Sequence, residues 1–385
     1  MDIGLVKRSF RLQGGGERQI TYLIDGLQAQ GYRVQLFCEE PPSVPPREGL
    51  MYQPVPHFPL PHAMRALGFA LSVRSALRGV GLPLVQSFDR TLGQHIYRAG
   101  EGVHREWLAR KRRALTAVAR GWSYLSLFDR VMVALERRVF RETPFIIANS
   151  QRGQEEIRRH YGVSDTRMTT IYNGVDLERF HPGIRSRWRD AQRAAWGVVP
   201  DEIVLLWVGS GFQRKGLPCL IEALALLCGR GIANLRLVIV GKGPVAPYQR
   251  LARQRSLTDW LRFEGQRPDV ERCYAAADLF VLPTLYDPFA NACLEAMACG
   301  LPVLTSDANG AAELLQDGVN GHVLKSPLTA AALADALQHL LPWERRRAMG
   351  EAASRTACEH PLSRALMQIL QVYEAVVSQP LGARL

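Results

Sequence analysis

The chain reads as an α/β protein made of two doubly wound parallel-sheet domains, and three observations carry that reading. Its 385 residues are too many for one ordinary core and suit two. Short apolar runs of strand length alternate with helix-length segments from end to end, the pattern of parallel sheets whose crossovers are helices. A polar, Arg-rich stretch, 181–199, separates two such alternations. The boundary is placed at 182/183, giving domains 1–182 and 183–361, with a last helix candidate, 362–377, that no strand follows.

Taken in order, residues 3–6 form the first strand, and Gly14-Gly15-Gly16-Glu17-Arg18 then opens a helix over 17–30 that Gly31 ends. A strand over 34–37 follows, and the Pro-rich stretch 41–61 reads as an irregular surface loop. Strands over 84–87, 145–148 and 169–172 complete the first alternation. Ala148-Asn149-Ser150 supplies a helix cap, and Tyr172-Asn173-Gly174-Val175-Asp176 a turn preset by Asn-Gly. After Pro200 come a strand over 203–208, a helix over 217–228, a strand over 235–240 and a helix over 244–255. The apolar run 279–282 is a buried strand, Pro283 and Pro288 bound its loop, and 290–299 is a helix stopped by Gly300 and Pro302. Helices over 329–341 and 343–358 close the second domain.

Composition narrows the function classes. With 47% hydrophobic and 22% charged residues the chain is globular, not disordered. No apolar run approaches the ~20 residues that span a bilayer. The first residues read as a strand and not as a signal peptide. Seven cysteines at irregular spacing, several within apolar runs, suit buried thiols in a reducing compartment and show no zinc-finger spacing. The net charge of +12, with only five lysines among 48 basic residues, favours anionic partners.

The most informative stretch is Tyr286-Asp287-Pro288-Phe289-Ala290-Asn291 running into an apolar helix that carries Glu295. It sets a helix N-terminus at the end of a buried strand, where unpaired N–H groups and the helix dipole favour an anion. Asp287 and Glu295 beside such a site suit the hydroxyls of a sugar and a ribose. Gly209-Ser210-Gly211-Phe212-Gln213-Arg214-Lys215-Gly216 follows another strand and offers two cations to a diphosphate. Read singly, these are also an ordinary helix with two acids and a solvated basic turn. The Gly14–Gly16 turn is not the G-x-G-x-x-G fingerprint, because Gln19 stands where the last glycine would be, and this weighs against an NAD-dependent oxidoreductase.

The Asp-x7-Glu spacing followed by Ala-x-Ala-x-Gly-x-Pro-Val resembles the E-x7-E signature of the retaining nucleotide-sugar glycosyltransferases of family 4, whose fold is called GT-B. The match extends in order over nearly the whole chain, to the Gly209–Gly216 loop, Gly241-Lys242-Gly243-Pro244 and the Asn-Gly-Val-Asp turn. The resemblance implies two Rossmann-like domains facing across a cleft, with 362–385 crossing back to the first. It implies a UDP-sugar donor, glucose first and an N-acetylated hexosamine second, with no metal and no other cofactor. Arg214 and Lys215 would neutralise the pyrophosphate, Glu295 would meet the ribose and Asp287 the donor sugar. Gly15, Gly16, Gly209, Lys242, Phe289, Ala290 and Asn291 would also face the donor. His95 would serve on the acceptor side, with Asp89 as the competing candidate. One departure stands out: Asp287 is one methylene shorter than the usual Glu, which leaves the donor sugar open.

Residues 104–142 hold ten Lys/Arg against four Asp/Glu, a net +6. Arg105, Trp107, Arg110, Lys111, Arg112 and Arg113 head this arm, with Leu108, Trp122, Tyr124, Leu125, Leu127 and Phe128 interleaved. The mix suits an anionic membrane surface, a nucleic acid, or a solvated helix whose apolar side packs inward. It resembles the membrane-facing segment of the lipopolysaccharide core hexosyltransferases of the same family. That implies an enzyme held peripherally at the inner face of the cytoplasmic membrane, adding a hexose to the heptose of a lipid-linked, phosphorylated inner core. A non-enzymatic nucleic-acid binder would explain the charge but not the two acids or the glycine loops.

Overall fold

A computed structural model describes residues 1–9, 15–40, 48–113 and 126–378. They divide into two compact units, 1–173 with 362–385, and 174–361. Each unit is a parallel sheet with helical crossovers.

The first sheet holds β1 (Asp2–Val6), β2 (Arg33–Cys38), β3 (Leu50–Pro54), β4 (Leu84–Ser87), β5 (Ile96–Arg98), β6 (Phe145–Ala148) and β7 (Met168–Thr170), in the order β3-β2-β1-β4-β5-β6-β7. Its described helices are α1 (Gly15–Ala29), α2 (Arg65–Arg78), α3 (His104–Arg113), α4 (Leu127–Glu142) and α5 (Gln151–Tyr161). The second unit holds α6 (Ile184–Trp196), β8 (Ile203–Val208), α7 (Leu217–Gly229), β9 (Leu235–Val240), α8 (Val245–Gln254), β10 (Leu261–Gly265), α9 (Val270–Ala276), β11 (Leu279–Leu282), α10 (Asn291–Ala298), β12 (Val303–Ser306), β13 (Gly321–Leu324), α11 (Ala330–Leu340) and α12 (Trp343–Cys358). Its sheet order is β10-β9-β8-β11-β12-β13. In both sheets the winding direction reverses beside the first strand, between β1 and β4 and between β8 and β11. Ligands of doubly wound sheets lie outside the carboxyl ends of the strands at that reversal.

The last helix, α13 (Leu362–Ser378), belongs to the first unit. Ala365, Ile369, Tyr373 and Val376 recur at helical spacing and share one core with Ile3, Leu5, Ile24, Leu84 and Ile96. Leu366 sits so close to α1 that a Cβ on Gly26 would lie 2.2 Å from its Cδ2.

Two sequence expectations change. Residues 41–47 of the expected loop lie outside the described residues, but 50–54 form an edge strand paired with β2. Pro54 is tolerated there because an edge strand leaves one side of its ladder unbonded. The unit boundary falls at 173/174 because 174–182 packs on the second unit. Phe180 is buried edge-on against Tyr274, with ring centroids 5.7 Å apart, and Arg179 Nε donates to Glu271 Oε2 at 2.9 Å. No described helix is long and apolar enough to cross a membrane.

Candidate active site

The reversal point of the second sheet brings together the two loops singled out from sequence. The 209–216 loop leaves β8 and the 283–290 loop leaves β11. They are knitted by backbone: Leu285 N donates to Arg214 O at 2.8 Å, and Thr284 Oγ1 donates to the same oxygen at 3.1 Å. Only glycine permits this approach at 216, where φ is +75° and a Cβ would stand 1.8 Å from Pro283 O. At Gly209 a Cβ would meet Lys215 Cδ at 2.6 Å, so the missing side chain lets the lysine stem lie over the strand end.

Lys215 Nζ lies 3.2 Å from Asp287 Oδ2, with the side chains 13% and 7% exposed. Arg214 Nη1 donates to Tyr286 O at 3.3 Å, which holds the guanidinium on the same edge. Asp287 is fixed from several sides. Its N–H donates to Ala308 O at 3.0 Å, its carbonyl accepts from Gly310 N at 2.9 Å, and its Oδ1 accepts from Phe289 N at 3.2 Å. Asn309, buried in the loop after β12, accepts from Ala290 N through Oδ1 at 3.1 Å and donates to Thr305 Oγ1 at 3.0 Å. The amide hydrogens of Phe289 and Ala290 are therefore engaged inside the loop. Asn291 begins α10, and Glu295 stands on its second turn, where Tyr274 donates its hydroxyl to Oε2 at 2.8 Å. Burial pushes the Cys293 and Cys273 thiols up to about 12, so neither offers a thiolate near neutral pH. Gly241 and Lys242 follow β9, with Lys242 exposed.

The first sheet has its own cluster at the carboxyl edge of its reversal point. Lys7, just past β1, pairs with Asp89 Oδ1 at 2.9 Å, and Arg8 N donates to Asp89 Oδ2 at 2.6 Å. Burial would depress the Lys7 pKa, but the carboxylates of Asp89 and Glu101 outweigh it and hold the ammonium above its ordinary value. Buried Arg90 donates to Glu136 Oε1, at 3.1 Å from Nε and 3.0 Å from Nη2, to Gly102 O at 2.8 Å and to Glu101. Neither Glu101 nor Arg90 belongs to a motif; only the sheet brings them to this edge. Gly15 and Gly16 open α1 after Gly14, which lies outside the described residues.

His95 is placed otherwise than expected. It precedes β5, at the amino end of that strand, and its Nδ1 accepts from Val85 N at 3.0 Å. The ring completes the β4–β5 ladder where a backbone carbonyl would normally stand. Asp89, not His95, occupies the ligand-facing edge.

The basic arm is also partly internal. Buried Glu136 caps the start of α3, accepting from His104 N at 2.7 Å and Arg105 N at 3.2 Å. Arg110 Nε donates to buried Glu106 at 2.8 Å, a carboxylate it shares with Arg159 and His160. Leu108 is in the core, Trp107 and Arg112 are half-buried, and Arg105 and Lys111 are exposed. Phe128 turns inward, edge-on to His104 with centroids 6.0 Å apart. The Arg113 side chain and residues 114–125, including Trp122, Tyr124 and Leu125, lie outside the described residues.

Comparison with known proteins agrees with this geometry. Residues 13–179 match the family described as Glycosyltransferase Family 4, and 189–356 match Glycosyl transferases group 1. A probable transglycosylase of Burkholderia thailandensis is 29% identical over 378 residues, 97% of this chain and 96% of that one. The lipopolysaccharide glucosyltransferase WaaG of Escherichia coli is 24% identical over 328 residues, 85% of this chain and 86% of that one. The crystal structure of WaaG superposes with a TM-score of 0.83 at 23% identity, covering 96% of this chain and 99% of that one. Anabaena HepE, solved with UDP-glucose, superposes with a TM-score of 0.74 at 20% identity, covering 97% and 100%. With both units matched in sequence and the two-sheet architecture matched in space, the chain belongs to the family 4, group 1 glycosyltransferases of GT-B fold.

Proposed function

We propose that the chain is a retaining hexosyltransferase that moves glucose from UDP-glucose to a heptose of the lipopolysaccharide inner core. The observation that carries this is the Lys215–Asp287 pair at the β8/β11 reversal point. Without donor, the two charges neutralise each other. A bound nucleotide sugar exchanges partners: the ammonium moves to the diphosphate beside the Arg214 guanidinium, and the Asp287 carboxylate accepts from hydroxyls of the hexose. Glu295 accepts from the ribose. Transfer then breaks the bond between the anomeric carbon and the diphosphate oxygen and forms the bond to the acceptor oxygen on the same face. The acceptor proton passes to the departing phosphate oxygen, so no protein nucleophile is needed. Arg214 and Lys215 supply the neutralisation that a metal would otherwise provide.

Sequence identity to a lipopolysaccharide glucosyltransferase supports the acceptor class, and likeness to a protein solved with UDP-glucose supports the donor class. Exposed Arg105 and Lys111 on α3 support contact with a phosphorylated, lipid-linked glycan at an anionic membrane surface. The short Asp287 side chain favours a second reading, in which the donor is an N-acetylated hexosamine or the lipid-linked glycan is a different one.

The test is release of UDP from UDP-glucose, UDP-galactose, UDP-GlcNAc and UDP-GalNAc, each with and without heptose-terminated core. Acceptor-dependent release with UDP-glucose and an α-linked product by NMR support the proposal. Acceptor-dependent release with an N-acetylated donor alone moves the assignment to the second reading, and no release from any donor overturns both.

A further inference from the structure

Tyr274 is fully buried in the second unit, on the short helix α9 beside α10. Phe180 lies edge-on to its ring at 5.7 Å between centroids, and Phe280 lies on another side at 6.0 Å. So enclosed, the ring is held between these neighbours. Its hydroxyl donates to Glu295 Oε2 at 2.8 Å and stands 3.4 Å from Ala292 O. Burial, and then the Glu295 carboxylate, hold the phenol well above its ordinary value, so it remains a donor across the working pH range. A glutamate on a helix surface otherwise samples several rotamers, and fixing it costs conformational freedom when a ligand binds. A carboxylate offers about four lone-pair directions, so one bond to a phenol does not preclude bonds to a diol.

We propose that Tyr274 is a positioning residue for nucleotide recognition, holding the Glu295 carboxylate in the rotamer that accepts from the ribose hydroxyls. The inference rests on the reading that Glu295 meets the ribose. It assigns to a buried residue outside every donor loop the power to set ribose discrimination without touching the nucleotide.

Calorimetric titration of the full chain with UDP, 2′-deoxy-UDP and 3′-deoxy-UDP tests it. The wild type should bind UDP about tenfold more tightly than the weaker deoxy analogue, about one charged hydrogen bond. Tyr274→Phe, which keeps the ring and deletes one oxygen, should narrow that ratio to about threefold or less, raising KM for the donor while leaving kcat within about twofold. A purely structural role would weaken all three nucleotides equally, so an unchanged ratio in the variant overturns the proposal. Should the wild type itself not discriminate, the ribose reading of Glu295 fails first. A double cycle separates the cases further. If the two residues act as one unit, Tyr274→Phe with Glu295→Gln loses no more discrimination than Glu295→Gln alone, and additive losses overturn the coupling.

Discussion

The two reversal points carry the same device in different settings. Beyond β1 and β4 stands Lys7 with Asp89; beyond β8 and β11 stands Lys215 with Asp287. Each pair closes at about the same distance, 2.9 Å and 3.2 Å, and each joins the loops of two neighbouring strands. What differs is the surroundings. Asp287 is gripped by backbone from two segments, the 308–310 loop and Phe289 of its own loop, and lies just ahead of a helix start, its buried carboxylate paired with Lys215. The Asp89 carboxylate is held by one backbone N–H beside an ionic network in which buried Arg90 and Glu136 are joined by exposed Glu101, and which reaches under the basic arm. In the proposed function the second pair trades its partner for a ligand's charges. The first is built into the frame of its unit, where removing a charge disturbs its neighbours.

Substitutions that exploit this contrast rank by expected size. Arg90→Leu should have the largest effect, on stability: it leaves Glu136 buried without its cation, which costs about 3–5 kcal/mol. Differential scanning calorimetry should show the first unit melting earlier, and an unchanged melting profile would remove the network from the comparison. Next, Lys215→Ala should lower kcat by about 100- to 1,000-fold at temperatures where the variant is still folded, because in the proposed role the ammonium neutralises the leaving diphosphate, and it should also lower the melting temperature by leaving Asp287 without its cation. A variant with wild-type turnover would break the assignment of the second pair. Lys7→Ala should cost less, about tenfold in kcat/KM; a loss as large as that of Lys215→Ala would mean the two reversal points are equivalent.

The smallest effect is in the pH dependence of stability. The Lys7 pKa is raised above the ordinary 10.5 of a lysine, so its folded state favours the charged form. That contribution is fully present below the unfolded value and is lost as pH rises through the folded one. The stability gap between wild type and Lys7→Met should thus be level from neutral pH to about 10 and shrink above it. A gap that widens with alkalinity would refute the pairing.

Some of this architecture was legible because local signals were strong. The runs at 203–208 and 279–282 are apolar on both faces, as central parallel strands must be, and each is followed by loop residues of distinctive chemistry. β3 was hidden because an edge strand need not be continuously apolar and Pro54 reads as a breaker. β5 was hidden because three residues give no periodicity. His95 was misplaced because a histidine after a strand looks the same in sequence whether it faces a ligand or replaces a carbonyl in the ladder. Tyr274 and Asn309 carry no motif: they lie 21 residues before Glu295 and 19 after Ala290, and only the packing of α9 and the β12 loop against α10 reveals their bonds.

By itself, then, the sequence determined the two-domain α/β class, the strand–loop–helix setting of Arg214, Lys215, Asp287 and Glu295, and the kind of ligand those groups suit, because periodicity and turn chemistry act over a few residues. Tertiary structure alone decided that β8 and β11 are neighbours, that the Lys215 ammonium rests on Asp287, which amides are engaged within their loop, and that α13 returns to the first core. Those choices depend on strand order and on burial against distant residues, and contacts across such separations leave no local pattern in the chain.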